Sequence, residues 1–397
     1  MKFLHQEYYN NDNINKPIED IWKDIESYTN EIFTNDTKDK KVQYSNVDIL
    51  LPILRLGDNF VKGLIVSRAS DYICSVIPNL KNHFNIIGNS MWGSISKSEN
   101  ADAYFMCYEN PKREAWLRAN FPHLAQKQLI PLQDVDYTNE NRFFPVDVEK
   151  DIDVLMVSRL HLCKNLDIFL KSLIYINKKY GKKLKAVLLT GQEKNDDETE
   201  KVYTNLIELA GSKEELESYI EIINDIPSSK MFMYYSRAKI TALTSIFEGK
   251  NRSLAESMLC NTPVLCFSAF NKYIRLDSPI FPDGCGYCVD EFSSEAFGEK
   301  LYELIESGNI VYNTRKKALR YYNRVMAVDK IIKMIPYYNE NIPRLNESSI
   351  VENDFVNKSL SLSQKAGSYE DFLLESNIKV PLHDNDNYQF LLKSNMI

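Results

Sequence analysis

Glycine is scarce, 13 residues in 397. Folds that bring backbone close to phosphate ordinarily use glycine there, so any anion site in this chain has to be built from other residues. The nearest approach to a glycine-rich loop, Leu54–Gly63, is weak. No apolar run approaches the roughly 18 residues of a membrane span, so no spanning helix is expected. The opening Met-Lys-Phe-Leu-His-Gln-Glu turns polar and acidic at once, which does not read as a signal peptide. An excess of positive charge is also missing. The net charge is −7, which argues against non-specific nucleic-acid binding as the main task and leaves membrane contact at most peripheral. Cysteines number seven, an odd count, and spread from Cys74 to Cys288. That fits reduced thiols in a cytoplasmic chain better than a disulfide framework.

What is present is ordinary for a globular chain: 44% hydrophobic and 26% charged residues. The length suggests two domains, at about 150 residues each. The first third is faint. Ile18–Phe33 has helical spacing, Val47–Leu54, Leu64–Val66, Phe84–Ile87 and Asp102–Cys107 read as strands, and Pro111–Asn120 as a helix with proline early. From Asp153 onward the pattern is clearer. Strands at Asp153–Val157, Leu184–Leu189, Tyr219–Ile223, Ile240–Leu243 and Pro263–Phe267 alternate with helices at Leu166–Lys179, Glu198–Ala210, Lys230–Arg237, Ser253–Leu259 and Ser294–Ser307. Such alternation predicts an α/β fold with a parallel sheet covered on both faces. Ala318–Tyr338 reads as a further helical stretch, followed by a polar tail with one apolar cluster at Phe372–Leu374.

Three pieces of this second half carry chemistry. Val157-Ser158-Arg159-Leu160-His161-Leu162-Cys163-Lys164-Asn165 ends a strand with a basic pair spaced Arg-x4-Lys. In an open parallel sheet, ligands bind beyond the carboxyl ends of the strands, and a guanidinium with an ammonium suits a diphosphate. Glu248-Gly249-Lys250-Asn251-Arg252-Ser253-Leu254-Ala255-Glu256 follows another strand and opens a helix, whose N-terminal N–H groups can hold an anion. Glu256, a turn into that helix, can accept hydrogen bonds from vicinal hydroxyls. Asn261-Thr262-Pro263-Val264 ends the helix and starts a buried strand. Taken singly, a solvated basic turn and a capped helix explain the first two equally well.

In this order and spacing, however, the three pieces resemble the retaining GT-B glycosyltransferases, in particular glycosyltransferase family 4, the glycosyl transferases group 1. Thr244-Ser245-Ile246-Phe247-Glu248-Gly249 is similar to that family's strand-to-loop entry, and Asp283–Asp290 to its later Gly-x-x-Val-Asp turn. Ala101–Tyr104 through Phe144-Pro145 resembles the end of its first domain. The resemblance is good over residues 101–310 and faint before residue 100. It implies two Rossmann-like domains with parallel sheets facing across a cleft, the first short and atypical. The domains would span 1–148, on the acceptor side, and 149–330, holding a nucleotide-diphosphate sugar. Residues 331–397 would form a C-terminal helix and tail returning to the first.

By the same resemblance Arg159 and Lys164 contact the diphosphate, Glu248 the donor sugar and Glu256 the ribose. Lys250, Asn251, Arg252 and Ser253 approach the phosphate or sugar, and Gly191 borders the nucleotide. The implied activity is transfer of a sugar from a donor, UDP-linked as first choice, to a hydroxyl of a glycan, lipid-linked, protein or small-molecule acceptor. No metal or other cofactor is implied. The chain departs from the family by having Ser158, Asn165, Asn251 and Asn261 at positions that are often glycine. Asparagine tolerates left-handed backbone, so the geometry can survive. The short first domain motivates an alternative, a catalytically inactive GT-B-like partner subunit that binds glycan or protein. A third reading is another nucleotide-sugar enzyme on the same fold.

Other residues invite weaker readings. Asn89, Ser90 and Trp92 follow a predicted strand of the first domain and are acceptor-side candidates. His161 sits inside the basic loop. Cys285-Gly286-Tyr287-Cys288 suggests a dithiol or half a zinc site, but no thioredoxin-like pattern surrounds it, and structural cysteines are the simpler reading. The Asp-x-Asp patterns at Asp134, Asp151 and Asp384 are not read as metal sites.

Overall fold

The computed structural model describes residues 47–341, apart from 52–53, 57–58, 68–69, 72–73, 75–79, 90–97, 139, 141, 192–196, 247–248 and 276–277. The helix read at Ile18–Phe33 and the cluster at Phe372–Leu374 lie outside the described residues. Two units are present. One consists of residues 138–322, the other of 47–137 together with 323–341.

The sheet of the latter unit is built from β1 (Val47–Leu51), β4 (Gly63–Ser67), β5 (Phe84–Gly88), β6 (Ala103–Phe105) and β7 (Gln128–Ile130), in that spatial order. β4 to β7 are parallel, whereas β1 runs antiparallel to β4. Between β1 and β4 lies a small antiparallel hairpin, β2 (Leu54–Leu56) with β3 (Asn59–Val61). It occupies the segment where the sequence offered its only weak glycine loop. Helix α1 (Leu80–His83) leads into β5, and α2 (Pro111–Asn120) connects β6 to β7. Asn110 caps α2 by accepting from Lys112 N and Arg113 N, and Pro111 takes the first position, where no donor is needed. Alternation along the strands divides the core. Tyr104 and Leu129 face α2, with Leu117 and Phe121. Leu64, Val66, Ile87, Phe105 and Ile130 face the opposite side.

The unit 138–322 holds six parallel strands: β8 (Ile152–Val157), β9 (Ala186–Thr190), β10 (Ile220–Asn224), β11 (Ala238–Leu243), β12 (Val264–Phe267) and β13 (Gly286–Val289). Their spatial order is β10-β9-β8-β11-β12-β13. The chain therefore starts in the middle, builds outward one way, returns and builds the other way. This is the doubly wound Rossmann order, and its reversal falls between β8 and β11. Helices α3 (Leu166–Tyr180), α4 (Asp197–Ala210), α5 (Lys213–Tyr219), α6 (Met231–Arg237), α7 (Arg252–Leu259), α8 (Lys272–Arg275), α9 (Ser294–Ser307) and α10 (Arg315–Ala318) connect and flank them. Helix α3 buries Leu166, Phe169, Leu170, Leu173 and Ile176 at helical spacing and ends on Gly181 in left-handed conformation. On the same face α9 adds Phe297 and Leu301. Helix α7 packs on β11 and β12. Arg315 and Lys150 staple the connecting segment: Arg315 donates to the Phe143 and Leu259 carbonyls, and Lys150 Nζ to those of Ser236 and Ala238.

The single helical stretch read at Ala318–Tyr338 is corrected. Only its first residue belongs to a helix of this unit, α10. Asn323 then caps a new helix, α11 (Arg324–Met334), by accepting from Met326 N, and Pro336 opens α12 (Pro336–Asn341). Helices α11 and α12 lie on the sheet of the first unit, where Val328, Ile331, Ile332, Ile335 and Tyr338 complete its core.

Candidate active site

Strands β8 and β11 are hydrogen-bonded neighbours, so the loops leaving their carboxyl ends lie side by side at the topological reversal. The loop after β8 runs from Ser158 to Asn165. Arg159 is exposed and Lys164 half-buried. A short 3-10 turn, Leu162–Lys164, is capped by His161, whose Nδ1 accepts from Cys163 N at 3.2 Å. The other ring nitrogen, Nε2, stands 3.3 Å from Glu198 Oε1, which also accepts from Leu162 N. Both imidazole nitrogens are thus engaged in holding the loop. Asn165 turns the chain into α3 at φ 49°, ψ 45°, the left-handed conformation anticipated for an asparagine in a glycine position.

The loop after β11 begins at the buried Thr244. Its hydroxyl donates to the Lys164 and Asn165 carbonyls at 2.9 and 3.0 Å, and Asn165 Nδ2 donates back to Thr244 O at 3.1 Å. These three bonds lock the two loops together. Asn271, fully buried at φ 49°, braces the later part: its N–H donates to Ile246 O and its side-chain amide to Gly249 O. Glu248 lies outside the described residues, as do Ser90 and Trp92. Gly249 and Lys250 follow, half-buried. Asn251 caps α7 in extended conformation, accepting from Leu254 N at 3.3 Å and Ser253 Oγ at 2.5 Å. Neither Asn251 nor Ser158 has a positive φ.

Glu256 is a buried acid with partners on two helices. Tyr235 OH on α6 donates to its Oε2 at 2.9 Å, and the Arg252 Nε stands 3.6 Å from Oε1. Burial pushes the Glu256 carboxyl above the usual carboxylate range, while Arg252 and the Tyr235 phenol pull it back. Tyr235, wholly buried beside that carboxylate, is pushed far above the ordinary phenol value. Gly191, at the end of β9, is exposed, and a Cβ there would meet no atom of the described residues within 4 Å. Asn89 is buried at the end of β5. Its N–H donates to Ser67 O, and its buried Oδ1 meets no hydrogen-bond partner among the described residues.

The structure thus brings Arg159, Lys164, Lys250, Asn251, Arg252, Ser253 and Glu256 to the carboxyl ends of two adjacent strands, with Gly191 one strand further along. Asn89 belongs to the other unit. Sequence reasoning missed Tyr235 and Asn271. A tyrosine in a short helix carries no signal, whereas Asn271, which like Asn165 stands directly before a helix, carries the same hint of left-handed backbone.

The acid pairs have other occupations. Asp136 accepts from Gln133 N. Asp151 binds Arg237 and Lys185, which hold its carboxyl well below the usual range, and Asp153 binds Lys239. Asp384 lies outside the described residues. Among the described residues, no three His, Cys, Asp or Glu side chains gather where a metal ion could be held, and no helix is long and apolar enough to cross a membrane. Cys285 donates to Thr314 O, and Cys288 pairs instead with Cys266 across β12–β13.

Comparison with known proteins bears on this arrangement. Residues 138–324 match the family model described as Glycosyl transferases group 1. AmsD, the amylovoran biosynthesis glycosyltransferase of Erwinia amylovora, is 31% identical over 178 residues, which cover 45% of this chain and 45% of AmsD. The chain therefore matches less than half the length of that relative. HepE of Anabaena, solved with UDP and glucose, superposes with a TM-score of 0.50 at 13% identity, covering 69% of this chain and 77% of HepE. HepE solved with UDP-glucose gives 0.50 at 12% identity, over 69% and 78%. The fold is GT-B: two Rossmann-like units, the segment 47–137 being the shorter and carrying the antiparallel edge strand β1.

Proposed function

We propose that the protein is a retaining, metal-independent glycosyltransferase that moves a sugar from a nucleotide-diphosphate donor to a hydroxyl acceptor. The observation that carries this reading is the Rossmann reversal between β8 and β11, where a basic pair and a helix N-terminus converge within a segment matching Glycosyl transferases group 1. Negative charge grows on the departing diphosphate in the transition state. Arg159, Lys164 and the N-terminus of α7 are fixed positive groups that stabilise it without help from a metal ion. Glu256 accepts hydrogen bonds from the ribose, Glu248 contacts the donor sugar, and Lys250 to Ser253 line the phosphate. The acceptor hydroxyl attacks from the leaving-group face, a phosphate oxygen taking its proton, and configuration is kept. UDP is our first choice of nucleotide, following HepE. A growing glycan is our choice of acceptor, following AmsD. Seven free thiols support a reducing, cytoplasmic setting.

The hairpin β2–β3 and the antiparallel β1 favour one alternative, a partner subunit without turnover, because they remodel the unit that would receive the acceptor. Calorimetric titration with UDP, GDP, ADP and CDP in EDTA separates the two. One nucleotide is expected to bind, with Arg159→Ala or Lys164→Ala weakening it at least about tenfold, as loss of a charged hydrogen bond does. Binding of none by the folded protein overturns the donor site. Binding without any sugar transfer, unaltered by Glu248→Ala, favours the partner subunit.

A further inference from the structure

Among the described residues of the donor site, Glu256 is an acid whose carboxylate is held by a group from a different helix. Tyr235 is fully buried on α6, and its position is over-determined. Its carbonyl accepts from Thr262 Oγ1 at 2.6 Å, and its ring meets Phe143 edge-on at 6.3 Å. The next residue, Ser236, accepts from Val146 N through its hydroxyl and from Lys150 Nζ through its carbonyl. The phenol therefore presents its O–H to Glu256 Oε2 from a place that cannot adjust.

We propose that Tyr235 is a positioning residue of the nucleotide site, holding Glu256 as an acceptor for two ribose hydroxyls and so selecting ribonucleotides over deoxyribonucleotides. The inference rests on the donor site described under the proposed function. A carboxylate has about four acceptor positions. The phenol uses one on Oε2 and fixes the plane of the group, leaving the others for a vicinal diol. A protonated carboxyl turns one of those acceptors into a donor and cannot serve both hydroxyls. Burial favours protonation, and the phenol opposes it. Removal of the phenol O–H therefore loosens the carboxylate and also lets it protonate at higher pH.

The other ionisable groups around Glu256 are accounted for. Arg252 on the same helix favours the ionised form, and Cys260 is a thiol pushed up by burial and by Glu256 itself. From α10, Arg315 turns to the Phe143 and Leu259 carbonyls. Lys239 of β11 pairs with Asp153, and Cys266 of β12 with Cys288. Tyr235 is thus the group from a neighbouring element that sets this acid.

The test is calorimetric titration of the full chain with UDP and with 2′,3′-dideoxy-UDP between pH 5.5 and 8.5, for wild type, Tyr235→Phe, Glu256→Gln and the double variant. Wild type is expected to prefer UDP and to lose that preference as pH falls. Tyr235→Phe should lower UDP affinity about five- to tenfold near pH 7, move the acid limb to higher pH and leave dideoxy-UDP binding within about twofold. In the Glu256→Gln background the preference for UDP over its dideoxy analogue should no longer vary with pH, the titration of the phosphate being common to both nucleotides, and Tyr235→Phe should add nothing, since the two residues act as one unit. Equal weakening of both nucleotides by Tyr235→Phe, or an unmoved acid limb, overturns the inference. If Tyr235→Phe does not fold, a pH-dependent preference for UDP over dideoxy-UDP that survives in Glu256→Gln overturns it as well. A wild type that binds no UDP brings down the donor site itself, and the inference with it.

Discussion

At the scale of single residues asparagine takes the left-handed backbone that glycine usually supplies. Asn165, Asn261 and Asn271 all have positive φ, at 49°, 60° and 49°. Each also uses its side chain, which glycine could not: Asn165 donates to Thr244 O, Asn261 accepts from Arg315 N, and Asn271 donates to Gly249 O. At Asn165 and Asn261, two of the departures from the pattern the sequence resembles, the asparagine therefore keeps the left-handed backbone and adds a clip. Asn165 gives the sharpest test, because its clip joins the loops after β8 and β11. Asn165→Ala places a Cβ-bearing residue without the local hydrogen bond in left-handed backbone, at about 1–2 kcal/mol, and loses a buried bond of about 1 kcal/mol. Asn165→Gly loses only the bond. Urea unfolding should rank wild type above Gly above Ala, with the alanine variant about 2 kcal/mol less stable. An alanine variant as stable as wild type would mean that the turn relaxes to negative φ.

At the scale of elements, legibility followed strand length and burial. β8, β9 and β11 are buried on both faces and read as apolar runs, so the alternation of the second half was plain in the sequence. β2, β3 and β7 have three residues each, too few for a period to emerge, and β3 and β7 were not read at all, whereas β6, equally short, falls inside the strand read at Asp102–Cys107. Helix α5 was also missed, although Ser212 three residues before Glu215 is a capping signature; its hydroxyl accepts from Glu215 N. Tyr219 therefore closes a helix rather than opening a strand. At the site, the charges and the helix start were legible because their spacing is local. Tyr235 was not, because its partner Glu256 is brought to it by β11. The Gly-x-x-Val-Asp turn was recognised without its reason. Gly286 opens β13 against β12, where a Cβ would stand 2.6 Å from Val264 O and 2.5 Å from Val264 Cγ2. This glycine serves sheet packing. Gly286→Ala should separate β12 from β13 at about 1–3 kcal/mol, read as a lowered melting temperature with nucleotide affinity retained. An unchanged melting temperature would mean that the edge strand shifts freely.

At the scale of the whole molecule, the chain leaves the first unit at 137 and re-enters it at 323. The strands β4 to β7 follow one another in space in the order of the sequence, so no reversal, and no switch-point crevice, falls among these parallel strands. One face of their sheet is covered by α2. The opposite face is covered by α11 and α12, which follow the whole of the second unit in sequence. Tyr338 OH donates to Gly63 O at 2.8 Å and Tyr337 OH accepts from Lys62 N at 3.0 Å, across 275 residues of sequence. Ile331, fully buried, sits in the same apolar cluster as Leu64, Val66, Ile87 and Phe105. The first unit is therefore incomplete until the end of the described chain has been synthesised, while residues 138–322 contain their own core. Ile331→Asp puts an unpaired carboxylate into that late-closing core, at a cost of about 3–5 kcal/mol, whereas Ile331→Val costs about 1 kcal/mol. Hydrogen exchange should show the aspartate variant losing protection across β4, β5 and β6 while β8, β9 and β11 keep theirs, and UDP affinity should change little. Loss of protection in both sheets would mean that the two units fold as one, and intact protection in β4 to β6 would mean that α11 is not part of the first core.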